Sequence, residues 1–319
     1  QAEDGIRDEA SCLVGSEMCI RDRFKAGLIP HELHETAKRA AETGSPLGIT
    51  ADKFEDRLDW MADEHEVDIP IDVEQADVLA VMSSIEIQKY PESMAATAKI
   101  LNAAGESWTF RTDGFEATNF GMLSGNVDWQ KDATMKLIDA AIKIGAKLIV
   151  LPECGHAYMA LRWMGANMLG KPLPFKVMHI SEYMADALNS GKIKVRKVDK
   201  SVTYHDPCQV SRRGGATKAA RDVLKHLGVD FREMEYGGDY NWCCGGGGGV
   251  VTIKRADELR HRVFKLKMDQ VEKTEADELL SSCANCRQSF DDCQQHFNWD
   301  YTMGSLMEMV AENLEEGQS

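Results

Sequence analysis

The sequence predicts an α/β protein built from two pseudo-symmetric halves with mostly parallel sheets, preceded by a short helical segment. Three observations carry this. Short buried-looking runs, "DVLAVMSS", "KLIVLPE", "SVTYHDP" and "ELLSS", alternate with longer stretches whose apolar residues recur at spacings of three and four, such as Leu137, Ala141 and Ile144. That alternation implies strand–helix–strand crossovers, which pair strands in parallel and turn right-handed. The chain also repeats itself: "ATAKILNAAGESWTF" resembles "AARDVLKHLGVDFRE", and "LIDAAIKIGAKLIVLPECGHA" resembles "MDQVEKTEADELLSSCANCRQ". Finally, 319 residues at 43% hydrophobic content leave room for two cores.

Taken in order, the first 23 residues stand apart. "QAEDGIRD" and "LVGSEMCIRD" look like in-frame translations of high-throughput sequencing adapters, in adapter order, so residues 1–23 are read as an artefact and excluded from fold and function. They contain six acidic and three basic residues, which leaves −12 of the total charge of −15 on the rest. A frame opening this way is expected to begin mid-gene, with a natural N-terminal portion missing. Residues 24–70 read as a helical linker. Residues 71–200 form the first half, with Gly105 and Gly145 as helix stops, and residues 201–319 the second, with Gly228 in that role.

The acidic balance argues against a nucleic-acid surface, which needs clustered Lys and Arg. No run approaches the roughly 18 apolar residues of a membrane span, and no secretory core is visible. The expected location is cytoplasmic, with any membrane association made through a partner.

Cysteine placement carries the functional reading. Setting aside Cys12 and Cys19 leaves seven of the nine, an odd number that argues for ligands rather than a disulfide framework. Five form C-x34-C-C-x38-C-x2-C: Cys208, Cys243, Cys244, Cys283 and Cys286. Each lies at an expected strand-to-loop junction, so convergence is expected. Five thiolates exceed the four ligands of tetrahedral zinc, whereas a multi-iron cluster can use five, one of them bridging. Gly245 to Gly249 then provide close backbone approach and N–H groups for the sulfurs. A phosphate-cradling loop is the weaker reading, because no Lys-Ser/Thr follows the glycines.

"YHDPCQVSRRGG", "NWCCGGGGG" and "SSCANCRQSF" resemble the cysteine-rich CCG domain of the heterodisulfide reductase family, over most of residues 24–319. The resemblance implies tandem CCG domains with the first degenerate, and one noncubane 4Fe-4S cluster held by Cys208, Cys243, Cys244, Cys283 and Cys286. Some family members bind zinc at such a motif, so zinc stays the alternative metal. The implied function is that of an iron-sulfur oxidoreductase subunit, coupling electron transfer to thiol/disulfide or sulfur-carrier chemistry. Its implied partners are ferredoxin-like, flavin or membrane quinone-interacting subunits, and a small thiol/disulfide or a sulfur-carrier protein. The alternatives are a non-catalytic conduit for a flavin-dependent glycolate- or lactate-type oxidase, and a zinc-binding assembly module. "ETGSPLGITADKFEDRLDWMAD" resembles the segment that joins a ferredoxin-like module to the CCG region in fused relatives, which is the module expected to be missing.

The first half lacks the full ligand set. Ser83 and Ser84 stand where the first cysteine belongs, "EATNFGMLSG" where the double cysteine belongs, and "CGHA" where the CxxC belongs. Serine and asparagine do not replace thiolates, so no second five-thiolate cluster is expected. Cys154 and His156 are the candidate catalytic residues, as a redox thiol or mixed-disulfide acceptor and as a proton donor or added ligand. The bland alternative is a buried apolar cysteine beside a satisfied loop histidine. His205 and Asp206 read as structural, Arg212 and Arg213 as an exposed turn or as charge compensation for an anionic cluster, and Cys293 as a bystander. Glu153 has no assigned role.

Overall fold

The computed structural model describes residues 17–315; the first sixteen residues of the segment read as adapter, Cys12 among them, lie outside the described residues. Three helices lead in: α1 (Glu17–Lys25), α2 (His31–Thr43) and α3 (Ala51–His65). Within the linker region, α3 carries Phe54, Leu58 and Met61 at helical spacing, all buried. Phe54 stacks on Phe115 at 4.3 Å between ring centres and meets the edge of Phe110 at 5.8 Å, so α3 completes the first half's core.

The first half follows with β1 (Val78–Ala80), α4 (Ser84–Lys89), α5 (Glu92–Ala103) and β2 (Trp108–Thr109). It continues through α6 (Phe120–Ser124), α7 (Val127–Lys143) and β3 (Leu148–Leu151). A short α8 (Gly155–Ala157), a π-helical turn at Tyr158–Trp163 and α9 (Gly165–Leu169) lead to β4 (Lys176–His179) and α10 (Ile180–Asn189).

The second half repeats the plan. It contains β5 (Ser201–His205), α11 (Thr217–Leu227), β6 (Asp230–Phe231) and α12 (Asp257–Glu272). Then come β7 (Glu278–Ser281), α13 (Ala284–Phe297), β8 (Met303–Ser305) and α14 (Leu306–Glu312).

Both sheets are four-stranded and parallel throughout, in the orders β2-β1-β3-β4 and β6-β5-β7-β8. The same order twice is the architecture expected from the internal repeat. Gly105, Gly145 and Gly228 adopt φ of +65°, +72° and +66°, the left-handed geometry that ends a helix.

The two halves share apolar core. One cluster runs from Met94 and Leu101 of α5 and Val150 of β3 to Val202 of β5, Leu224 of α11, and Leu306 and Met307 of α14. Across this boundary α10 packs on α11, and α14 on α5. In each half the loops leaving β1 and β3, or β5 and β7, emerge at the carboxyl edge of a parallel sheet, where such sheets build their sites.

Candidate metal centre

His205 closes β5, and Asp206, Pro207 and Cys208 follow directly. Cys283 stands at the N-cap of α13, just past β7, with Cys286 in the first turn. The loop after β6 carries Cys243 and Cys244 to the same edge. Cys244 and Cys286 bring their sulfurs to 3.3 Å. Cys208 is hydrogen-bonded to Cys243, Cys243 to Cys244, and Cys283 to Cys286. The five thiols expected to meet therefore form one contiguous set, and all five are free.

Asp206 fixes the geometry. Its carboxylate accepts two bonds from Arg221 of α11, at 2.8 and 2.7 Å, and one from the Gly238 N–H at 2.7 Å, while its carbonyl accepts from Asn241 Nδ2. One buried side chain thus ties the Cys208 turn to the loop that delivers the double cysteine. Beyond it, the Gly245 N–H donates to Cys243 Sγ at 3.3 Å and the Gly246 N–H to Cys244 Sγ at 3.5 Å. Gly245 sits at φ +82°, and a Cβ on Gly246 would lie 2.8 Å from Ser289 Cβ. The glycines after the double cysteine hold a backbone cradle that side chains would close.

The thiols divide their protons unequally. Hydrogen bonds from Cys208 and then Cys244 hold Cys243 well below the usual thiol range, and the bond from Cys286 brings Cys283 down to about 7. Sharing a hydrogen bond with Cys243 pushes Cys208 and Cys244 up. Such a set is poised to ionise onto a metal, and five sulfurs with amide donors at two of them fit an iron-sulfur cluster.

The first half supplies the facing wall. A cavity of about 270 Å³ separates Cys208, Cys244, Cys283 and Cys286 from Ser83, Cys154 and His156. The Gly155 N–H donates to Cys283, and Ala284 N–H donates to the Glu153 carbonyl at 2.7 Å, so the two β3- and β7-type loops touch across the pseudo-twofold. Cys154 takes the N-cap position that Cys283 takes in the second half. It is buried, and burial followed by the field of Cys283 pushes its thiol well up. His156 donates from Nε2 to the Asn119 carbonyl at 2.8 Å, and burial lowers it to about 4, so it is neutral near pH 7.

Arg212 and Arg213 are exposed, with Arg212 donating to the Asp239 carbonyl at 3.1 Å. Cys293 packs in the core around Phe264 and Phe290. His205 is buried with neither ring nitrogen hydrogen-bonded, within 4.8 Å of the sulfurs of Cys244 and Cys286.

Sequence reasoning left Glu153 without a role and passed over three further ionisable groups, the buried Glu86 and Lys267 and the half-buried Glu116. Burial raises Glu86 and Glu116 to about 7 and Glu153 to about 8. Glu86 forms a capping box with Ser83 and accepts the Glu153 N–H at 3.1 Å; Glu116 is hydrogen-bonded to the Ser84 hydroxyl. Glu153 accepts the Met307 N–H at 3.1 Å and lies 3.7 Å from Arg287. The fourth is Lys267, and it had a signal: it stands on the apolar stripe Phe264–Lys267–Val271 of α12, where a lysine is out of place.

Residues 202–291 match the cysteine-rich domain family CCG. The fold and the sulfur-lined site thus define a CCG-domain protein. Over 265 residues the chain is 31% identical to a component of the dihydromethanophenazine:CoB–CoM heterodisulfide reductase of Methanosarcina mazei, covering 81% of this chain and 63% of that one. It is 28% identical over 272 residues to a probable membrane-anchored ferredoxin of Chromohalobacter salexigens, covering 82% and 39%. It is 37% identical over 112 residues to a component of the fumarate reductase (CoM/CoB) of Methanothermobacter marburgensis, covering 35% and 22%. Over most of its length the chain is thus similar to components of heterodisulfide reductases, and it spans less than two thirds of the length of these relatives. Among the described residues no helix is long and apolar enough to cross a membrane.

Proposed function

We propose that this chain is an iron-sulfur electron-transfer subunit of a heterodisulfide reductase-like complex. One noncubane 4Fe-4S cluster is held by Cys208, Cys243, Cys244, Cys283 and Cys286, and a disulfide or sulfur carrier is reduced in the cavity beside it. The observation that carries this reading is the contact between sulfurs drawn from three separate loops, reaching 3.3 Å at Cys244 and Cys286. When bound, the cluster supplies electrons one at a time, delivered by a ferredoxin-like, flavin or quinone-linked partner subunit.

The chain's own residues perform the rest. Cys154 attacks one sulfur of the substrate disulfide, giving a mixed disulfide and releasing the first thiol; two electrons and two protons then return Cys154 to its thiol and release the second. Because burial keeps Cys154 protonated, its attack needs a proton acceptor, and the fields of Glu86 and Glu116, both titrating at about 7, reach it. Neutral His156 leaves Nδ1 free for a proton or a ligand bond.

Anaerobic purification followed by iron and acid-labile sulfide analysis and electron paramagnetic resonance tests the centre. Iron and sulfide in a four-to-four ratio per chain are expected; zinc without sulfide would sink the reading. Cys154→Ser should lower disulfide turnover at least tenfold with iron content unchanged, and undiminished turnover removes Cys154 from the mechanism.

A further inference from the structure

Lys267 is 2% exposed, among the most deeply buried large side chains of the molecule. Its one hydrogen-bond acceptor among the described residues is the thioether of Met234, at 3.8 Å, and no carboxylate among them lies within ion-pair distance. A buried ammonium in that state is costly, and such groups ordinarily pair or neutralise. The acidic groups whose fields reach it are Cys244, then Asp206, Cys286 and Cys243. Asp206 is already engaged by Arg221 and the Gly238 N–H. That leaves three thiols of the sulfur set as the groups able to balance Lys267. His205, its ring unpartnered within 4.8 Å of Cys244 and Cys286, also feels the charge of Lys267. Lys267 therefore meets, at Met234, the same buried core that holds Cys244 and Cys286 together with Phe264 and Phe290.

We infer that Lys267 is the internal counter-cation of the thiolate-held centre, offsetting its negative charge from within the core and setting its reduction potential. Its role rests on the five cysteines binding an iron-sulfur cluster. A fixed positive charge in a low-dielectric pocket favours the more negative, reduced state of a nearby centre, so Lys267 raises the potential. Arg212 and Arg213, the cations that the sequence suggested for charge compensation, are solvent-exposed, and water and salt screen them. In the cluster-free chain the same ammonium is poorly balanced, because Cys244 and Cys286 are then protonated and Cys243 is the one thiolate among the three.

The test compares wild type with Lys267→Met, which keeps the length of the side chain and removes the charge. In the reconstituted protein, iron and sulfide are measured first and the midpoint by a potentiometric titration followed by paramagnetic resonance. The expected result is equal iron per chain and a midpoint shifted to more negative potential in Lys267→Met. In the cluster-free protein the same substitution should raise the melting temperature, since an unpaired buried charge has gone. An unchanged midpoint overturns the assignment, as does a fall in cluster-free melting temperature, which marks Lys267 as packing alone. Should Lys267→Met not load iron, Lys267→Arg decides: loading by Arg and not Met supports a required charge, and failure of both overturns it. Wild-type protein without iron or sulfide removes the cluster reading itself and this role with it, whereas loaded wild type with an unmoved midpoint removes only the role of Lys267.

Discussion

Glu153 shows how one buried carboxyl records its surroundings. It is fully buried, and although Arg287 lies 3.7 Å away, desolvation wins and the group titrates at about 8. A carboxyl whose folded pKa lies above its unfolded value binds more protons when folded, so its contribution to stability is intact below about pH 4.5 and is lost as pH rises through about 8. Glu153→Gln keeps the amide acceptor for the Met307 N–H and cannot ionise. The variant should therefore gain on wild type as pH rises from 5 to 8.5, by an amount on the order of a few kcal/mol. Paired urea melts across that range measure the difference directly. A difference that stays flat with pH would mean that Glu153 is ionised throughout, held so by Arg287. Comparing the two proteins cancels the opposing titration of the cysteines and of the buried histidines.

At the scale of elements, the two halves use the same loops for different chemistry. The loop after β5 reaches Cys208 through Asp206, whose bonds to Arg221, Gly238 and Asn241 hold it against the loop that precedes Cys243. Asp206→Asn keeps the shape but loses the charge opposite Arg221. It should cost about 1–3 kcal/mol and reduce iron retention, since two of the three cysteine loops lose their common anchor. Thermal melts with iron per chain check this, and wild-type values for both would show that the loops are set independently. The strands and the meeting of the five thiols were legible because each depends on residue type at close range: apolar runs between glycine stops, and thiols at strand ends. What stayed hidden depended on pairing between distant segments. Arg221 looked like any exposed helix cation until α11 turned it toward Asp206, and Glu86 and Glu116 looked like surface acids until Ser83 and Ser84 turned inward. Lys267 is the exception, since its place between Phe264 and Val271 on one stripe of α12 follows from spacing alone.

At the scale of the whole molecule, the seam between the halves decides whether they are two folding units or one. Apolar contacts run across it from α5 and β3 to β5, α11 and α14 without interruption. Polar contacts cross it too: Tyr90 donates to Asp291 at 2.5 Å, Lys89 pairs with Asp291 at 2.7 Å, Thr97 donates to Met307 Sδ at 3.3 Å, and the Arg287 guanidinium lies 4.1 Å over the Tyr90 ring. Neither half can leave without exposing the apolar face of the other, so the chain should unfold in one cooperative transition, with calorimetric and van't Hoff enthalpies that agree at on the order of 200 kcal/mol. Met307→Ala sharpens the test. Met307 belongs to the second half but packs fully buried on the first, so its truncation should lower that single transition by roughly 2–5 kcal/mol without splitting it. Two resolved transitions, with only the later-sequence one moved by the substitution, would show the halves to be independent. The cavity that both halves wall would then be able to open without unfolding either.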